Sequence, residues 1–196
     1  PEAVRTAVRP LTHPVVVITS GERTEPRGMT ASSFTSVCLQ PEPRVSFNVK
    51  LPSRTWDAIV AKKRICIHLL AATEKAAELA AVFTKPHGVP REAFDHVKRL
   101  GFGVDVDDGP PEVYGAGVMA RLRCTVDLLK CVSVGDHVIV VAKVEGVDHA
   151  EEGAKGLGYA NGKYRVMGEE LKLPDTRESR KLQSAISKIL YTDSRG

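Results

Sequence analysis

Gly28-Met29-Thr30-Ala31-Ser32-Ser33-Phe34-Thr35-Ser36-Val37 is the stretch of this 196-residue chain whose conformation decides the fold. Thr30, Ser32, Ser33, Thr35 and Ser36 place five hydroxyls in seven consecutive positions. Short hydroxylated side chains bond their own backbone and so disfavour a helix interior. An extended strand is the expectation, and successive side chains of a strand point to opposite faces. Thr30, Ser32, Phe34 and Ser36 would then share one face, and Ala31, Ser33, Thr35 and Val37 the other. A strand with hydroxyls on both faces gains little by burial alone. It suits a polar cleft holding a flat ligand with several acceptors, although an exposed edge strand bonded to water has the same composition.

Working outward, Val15-Val16-Val17-Ile18-Thr19-Ser20 is an apolar β-branched run that predicts a buried strand, joined to the hydroxyl strand by a polar turn over 21–27. The prolines of Gln40-Pro41-Glu42-Pro43 end the hydroxyl strand, because proline cannot join a central ladder. Val45 to Lys50 alternates apolar and polar, as a half-buried strand should. Ser53 is a natural cap for a helix running to about Lys62, and Ser53, Arg54 and Thr55 together make an anion seat. Such a seat combines unpaired N–H groups, the positive dipole end and a guanidinium able to grip phosphate; an ordinary capped surface helix is the alternative.

Arg64 to Leu70 predicts another strand, in which His68 is expected to be a satisfied core histidine. Thr73 caps a second helix with Ala76, Leu79, Ala80 and Phe83 on one face. The glycines and prolines between Lys85 and Pro111 predict a mostly irregular lid over the cleft. Gly115-Ala116-Gly117-Val118-Met119-Ala120 has a dinucleotide-type glycine pattern but precedes a strand rather than a helix, so it carries no nucleotide claim. That strand sets Ala120, Leu122, Cys124, Val126 and Leu128 inward and Arg121, Arg123, Thr125 and Asp127 outward. Gly135-Asp136 turns the chain into a strand from His137 to Val144 that is apolar on both faces, and Tyr164 to Met167 is a last short strand. About seven strands with few helices predict a mainly β fold, a barrel with peripheral helices. After Pro174 a basic helix carries Leu182, Ile186, Ile189 and Leu190 at helical spacing, suited to packing on the protein's own dimer or to docking a protein partner.

A hydrophobic fraction of 42% and a charged fraction of 27% are those of an ordinary globular protein. The net charge of +4 suits a small anionic ligand as readily as nucleic acid. One Trp, four Tyr and five Phe are too few for a base-stacking platform, which argues against nucleic acid. No apolar run reaches the length of a membrane span. Cys38, Cys66, Cys124 and Cys131 form no Cys-x-x-Cys pair and predict free thiols in a reducing compartment, cytoplasm or mitochondrial matrix. The six histidines are scattered without metal-ligand spacing, so no metal is expected.

Gly28 to Val37, the Pro41 and Pro43 pair, Ser53-Arg54-Thr55, Leu79 to Phe83 and Gly135-Asp136-His137, in this order, resemble the flavin reductase-like family of FMN-binding split barrels. The likeness runs from about Val15 to Val166, and the wording of Val45 to Leu70 is most like eukaryotic, in particular fungal, members. The resemblance implies a split-barrel homodimer over 1–174 with the flavin near the subunit interface, reduced by NADH or NADPH. It assigns the isoalloxazine and ribityl chain to Met29, Thr30, Ala31, Ser32, Ser33, Phe34, Thr35 and Ser36, the phosphate to Ser53, Arg54 and Thr55, and the nicotinamide to His137. The tail over 175–196 lies outside the likeness.

Hydride transfer to N5 of a flavin needs stacking distance and orientation rather than a protein nucleophile. His137 would orient the nicotinamide amide or stabilise the reduced flavin, and a structural hydrogen bond within the turn is the competing role. Two functions follow. The first is NAD(P)H-dependent reduction of FMN. The second is a non-catalytic flavin-binding fold acting as a sensor or as a subunit of a larger assembly.

Overall fold

The computed structural model describes residues 1–85, 89–106, 109–149, 154–168, 171 and 175–190. In chain order the elements are α1 (Glu2–Val8), β1 (His13–Pro14), β2 (Val16–Ser20), β3 (Arg27–Ala31), β4 (Thr35–Cys38), β5 (Arg44–Lys50), α2 (Arg54–Lys62), β6 (Arg64–Leu70) and α3 (Glu74–Val82). They continue as α4 (Glu92–Arg99), β7 (Gly103–Asp105), β8 (Glu112–Tyr114), β9 (Val118–Val126), a 3-10 turn (Leu128–Lys130), β10 (Val132–Val134), β11 (His137–His149), β12 (Leu157–Ala160), β13 (Lys163–Val166) and α5 (Arg177–Leu190).

The main sheet runs β3-β2-β6-β9-β11-β5-β4, every neighbour antiparallel, with β10 hairpinned onto β11. Strand β11 serves both halves. Residues 137–143 pair with β5, and residues 142–149 pair with β9 past a bulge between Val144 and Gly146. Such a bulge bends and twists a strand, which lets the sheet curl round on itself. Alternation along the strands explains the curl. Val16, Ile18, Ala31, Val45, Phe47, Val49, Ile65, Ile67, Leu122, Val138 and Val140 make one interior cluster drawn from β2, β3, β5, β6, β9 and β11.

The opposite face of β2 is not left to water. Val15 and Val17 pack with Leu79, Ala80 and Phe83 at α3, with Phe94 and Val97 of α4, and with Phe102, Val113 and Val118. Both faces of β2 are therefore covered, so all five of its residues are buried. Thr73 caps α3 as its sequence predicts, its Oγ1 accepting the Ala76 N–H at 3.2 Å.

Two expectations fail. The hydroxyl stretch is not one strand: β3 lies at one end of the sheet and β4 at the other, and residues 32–34 cross between them. The Oγ of Ser33 accepts the Asn48 N–H at 2.8 Å and ties this link to β5. Phe34 turns inward onto the interior cluster, so it shares no face with Ser32 and Ser36. The segment from Lys85 to Pro111 borders the cleft but is more regular than expected. Its described residues include α4 and β7, and they bury Ala93, Phe94, Val97 and Phe102. Residues 86–88 and 107–108 of that segment, and Pro174, lie outside the described residues.

Candidate functional site

Strand β3, the start of α2 and the end of α3 enclose a cleft of about 290 Å³, which α4 closes from one side through Ala93 and Phe94. The chain reaches it because Leu51 N–H donates to the Asp136 carbonyl at 2.8 Å and turns β5 toward α2. Ser53 then caps the helix, its Oγ accepting the Trp56 N–H at 3.2 Å. Thr55 is buried, and its hydroxyl donates to the Gly28 carbonyl at 3.2 Å. That bond fixes the helix start against β3. Any contact from Thr55 to an anion therefore comes from its backbone N–H, not its hydroxyl.

The wall is basic. Arg27, Arg54 and Lys85 line the cleft, and no Asp or Glu does so among the described lining residues. Arg27 is held by Glu25 at 2.6 Å, which fixes its direction as well as part of its charge. These cations line the same cleft as the N–H end of α2, and a helix start beside cations has the chemistry to attract a compact anion. Gly28 has to be glycine, since a Cβ there would stand 2.5 Å from the Phe83 ring. That ring meets Phe94 edge to face at 5.3 Å and so supports the floor of the cleft.

Of the hydroxyl residues, Thr30 and Ser32 line a neighbouring groove, and the Thr30 hydroxyl donates to the Ala80 carbonyl. Met29, Ala31 and Phe34 pack on the interior cluster and stiffen the strand and link from within. Thr35 and Ser36 are exposed on β4, where Thr35 pairs with Ser46. Ser33 sits between the two sets through its bond to Asn48.

His137 opens β11 at the same end of the sheet. It pairs with Lys50, two residues along β5 from the Asn48 that Ser33 holds. Its Nδ1 is 2.7 Å from the Asp136 carboxylate, and its side chain is 44% exposed. The hydrogen bond from His137, with Lys50 nearby, keeps the Asp136 carboxyl below the usual carboxylate range. With Nδ1 committed to Asp136, Nε2 is the atom left to meet a ligand.

Cys66, Cys124 and His68 have structural roles. Cys66 and Cys124 are buried, and burial pushes the Cys66 thiol far up and the Cys124 thiol up to about 12, so neither is a nucleophile. His68 is fully buried, as expected for a core histidine. Its Nε2 accepts the Val113 N–H at 2.8 Å, which places the ring proton on Nδ1, 3.0 Å from the Val17 carbonyl. Among the described residues no group of three or more His, Cys, Asp or Glu side chains could hold a metal ion.

Sequence reasoning found the Ser53 cap and the histidine turn, and Ser53, Arg54 and Thr55, which it singles out, all line the cleft. It missed Arg27, Lys85 and the α4 wall. It also missed β12, although Asn161-Gly162 after a short run is the two-residue hairpin signal and both residues adopt positive φ, 53° and 76°.

Residues 8–168 match the model of the family described as flavin reductase like domain. A curated relative, the NADH:FMN oxidoreductase of Rhodococcus qingshengii, is 37% identical over 158 residues, 78% of this chain and 75% of its own length. The NADH-dependent FAD reductase of Streptomyces globisporus is 33% identical over 167 residues, 85% of this chain and 82% of its own. The solved structure of the Streptomyces globisporus NADH:FAD oxidoreductase in complex with NAD and FAD fragments superposes with a TM-score of 0.69 at 27% identity, covering 86% of this chain and 93% of that one. These relatives are bacterial, so the narrower likeness to fungal members finds no match among them.

Proposed function

The chain belongs to the flavin reductase like domain family, and on that premise we propose that it is an NAD(P)H-dependent flavin reductase that passes a hydride from the nicotinamide to FMN. The observation that carries this reading is the cleft at the start of α2, with three cations and no carboxylate among its described lining residues. Its chemistry fits a ribityl phosphate: one helix end, cations in place of carboxylates and a volume near the lower end of ordinary ligand sites. The similarity to an NADH:FMN oxidoreductase and to an NADH-dependent FAD reductase supports the same activity.

Each residue set has a distinct task. Ser53, Arg54 and the Thr55 N–H hold the phosphate. Ser32, Ser33, Thr35 and Ser36, with their backbone N–H groups, face the ring and ribityl acceptors; Thr30, whose hydroxyl and N–H already bond the Ala80 and Phe83 carbonyls, braces the strand, and Met29, Ala31 and Phe34 back them from the interior. Bound there, FMN supplies the N5 that takes the hydride from C4 of NADH or NADPH. His137 orients the nicotinamide amide through Nε2, and Asp136 holds its ring. No side chain has to act as a nucleophile, because the protein contributes position and dipoles.

Purified protein should therefore oxidise NADH or NADPH only when flavin is added. His137→Ala removes one hydrogen bond to the nicotinamide, so turnover at subsaturating nucleotide should fall roughly five- to tenfold while FMN affinity is kept. Nucleotide oxidation indifferent to added FMN, or absent with both nucleotides, contradicts the reading.

Residues 1–174 form the flavin-binding unit, and 175–196 an appended basic tail that carries α5. The unit acts as a homodimer, for which β10 and β11 supply a face. Val132, Val134 and Ile139 are exposed there in mutual register beside His137, being 53%, 55% and 37% accessible. Ile139→Glu should convert a sedimenting dimer to a monomer and lower flavin reduction. A wild-type chain that sediments as a monomer at micromolar concentration counts against it. The unpaired thiols of Cys38, Cys66, Cys124 and Cys131 suit a reducing compartment, and no described helix is long and apolar enough to cross a membrane.

A further inference from the structure

A second cavity, of about 350 Å³, adjoins the basic cleft, and Arg27 and Arg54 line both. The two arginines are the partition between them. Glu22, Glu25 and Asp57 line the second cavity, whereas no carboxylate lines the cleft among its described residues. Cations on one side of the partition are thus backed by carboxylates on the other.

Arg27 is the less exposed member of its ion pair. Its side chain is 15% exposed, and one terminal nitrogen donates to the Glu25 carboxylate at 2.6 Å. A guanidinium carries several N–H donors in a rigid planar fork, so a carboxylate on one edge sets the direction in which the others point. An exposed ion pair by itself orients little. Here the acceptor is held by its own turn. Gly21 takes φ +90°, and a Cβ there would run into the Glu25 carbonyl, so this tight return needs glycine. The Glu25 N–H donates to the Glu22 carbonyl at 3.0 Å. The Glu22 carboxylate meets Lys62, at the end of α2, at 2.6 Å. The Arg91 guanidinium, just before α4, donates to the Arg23 carbonyl at 2.9 Å. Helices α2 and α4 both border the cleft, so the turn that carries Glu25 is tied to two of its walls.

We propose that Glu25 is a positioning residue: from the β2–β3 turn it aims the Arg27 guanidinium at the cleft as a second cation for the flavin phosphate, beside Arg54. The inference rests on the reading of that cleft as the flavin phosphate seat. Arg27 and Glu25 together then set the preference of this chain for a phosphorylated flavin over riboflavin.

The test compares dissociation constants for FMN and riboflavin, read by flavin fluorescence. It uses the full chain and four variants: Arg27→Ala, Glu25→Ala, Glu25→Gln and the double variant Glu25→Ala/Arg27→Ala. Arg27→Ala should weaken FMN roughly tenfold and leave riboflavin nearly unchanged, retained riboflavin binding showing that the variant folds. The sign of the Glu25 effect separates positioning from charge. Removing a carboxylate makes the cleft more positive, so charge alone tightens FMN in Glu25→Ala and Glu25→Gln alike. Positioning instead weakens FMN roughly two- to fivefold in Glu25→Ala, and Glu25→Gln, which keeps an acceptor oxygen, restores most of it. In the double variant Glu25→Ala should add nothing to Arg27→Ala, because the carboxylate acts only through that guanidinium. Equal tightening in both Glu25 variants, an additive double variant, or wild-type FMN affinity in Glu25→Ala overturns the proposal. An FMN-to-riboflavin ratio unchanged in Arg27→Ala overturns it also. Where Arg54→Ala nonetheless shifts that ratio, the phosphate seat stands and only Arg27 and Glu25 drop out of it.

Discussion

Arg54→Ala should weaken FMN binding by roughly one to two orders of magnitude and leave riboflavin binding almost unchanged. A hydrogen bond to a charged group contributes about 1.5–3 kcal/mol, and about 1.4 kcal/mol is tenfold in affinity. Riboflavin lacks the phosphate, so it never draws on the guanidinium or the helix end. It also controls for disturbance of the cleft, since Arg54 neighbours Ser53, whose Oγ caps α2. Hydride transfer at saturating FMN should survive, because the flavin N5 lies far from the phosphate. The quantity to measure is the ratio of FMN to riboflavin dissociation constants in both proteins. A ratio unchanged by the mutation shows that the phosphate sits elsewhere and that α2 is merely a capped helix.

The second large effect is on stability. Burial pushes His68 down to about 4, against the hydrogen bond to the Val17 carbonyl, and the nearby Arg121 charge adds to the fall. In the unfolded chain the same ring titrates near 6.5. Above that pH both states are neutral at His68 and nothing is lost. As pH falls from about 6.5 to about 4, the unfolded state takes up a proton that the folded state refuses. Folding should therefore lose about 3 kcal/mol from this one group across that window. Protonation at Nε2 would also cost the Val113 N–H its acceptor and remove the hydrogen bond that ties β8 to His68 of β6. His68→Gln keeps an acceptor and removes the titration. Denaturant midpoints measured at pH 7 and pH 4 should thus differ less in the variant than in the wild type. The same drop in both proteins contradicts the assignment.

What the sequence discloses and what it hides divide along a physical line. Strand β6 and helices α2 and α3 were legible because their signals are local: alternation in Ile65, Ile67 and Leu69, and capping hydroxyls at Ser53 and Thr73. The break in the hydroxyl strand was not, because it is imposed by closure. Ser33 finds Asn48 fifteen positions away, and only the curl of the sheet brings them together. Helix α4 was concealed by the prolines and glycines around it, although Ala93, Phe94 and Val97 carry a one-sided apolar face between charged residues. For the site, the helix end could be read from Ser53-Arg54-Thr55. Arg27 and Lys85 could not, since they reach the cleft from β3 and from the end of α3 only in the folded chain.

The central claim is that this cleft serves hydride transfer from a nicotinamide to a flavin, and one anaerobic experiment tests it most directly. The protein is loaded with FMN, mixed with NADH or NADPH, and the loss of oxidised-flavin absorbance is followed in time, with protio nucleotide and with nucleotide deuterated at the transferred C4 position. The account predicts complete bleaching with at least one nucleotide, and a severalfold slower bleach with deuterium. Bound FMN that stays oxidised in the presence of both nucleotides contradicts it.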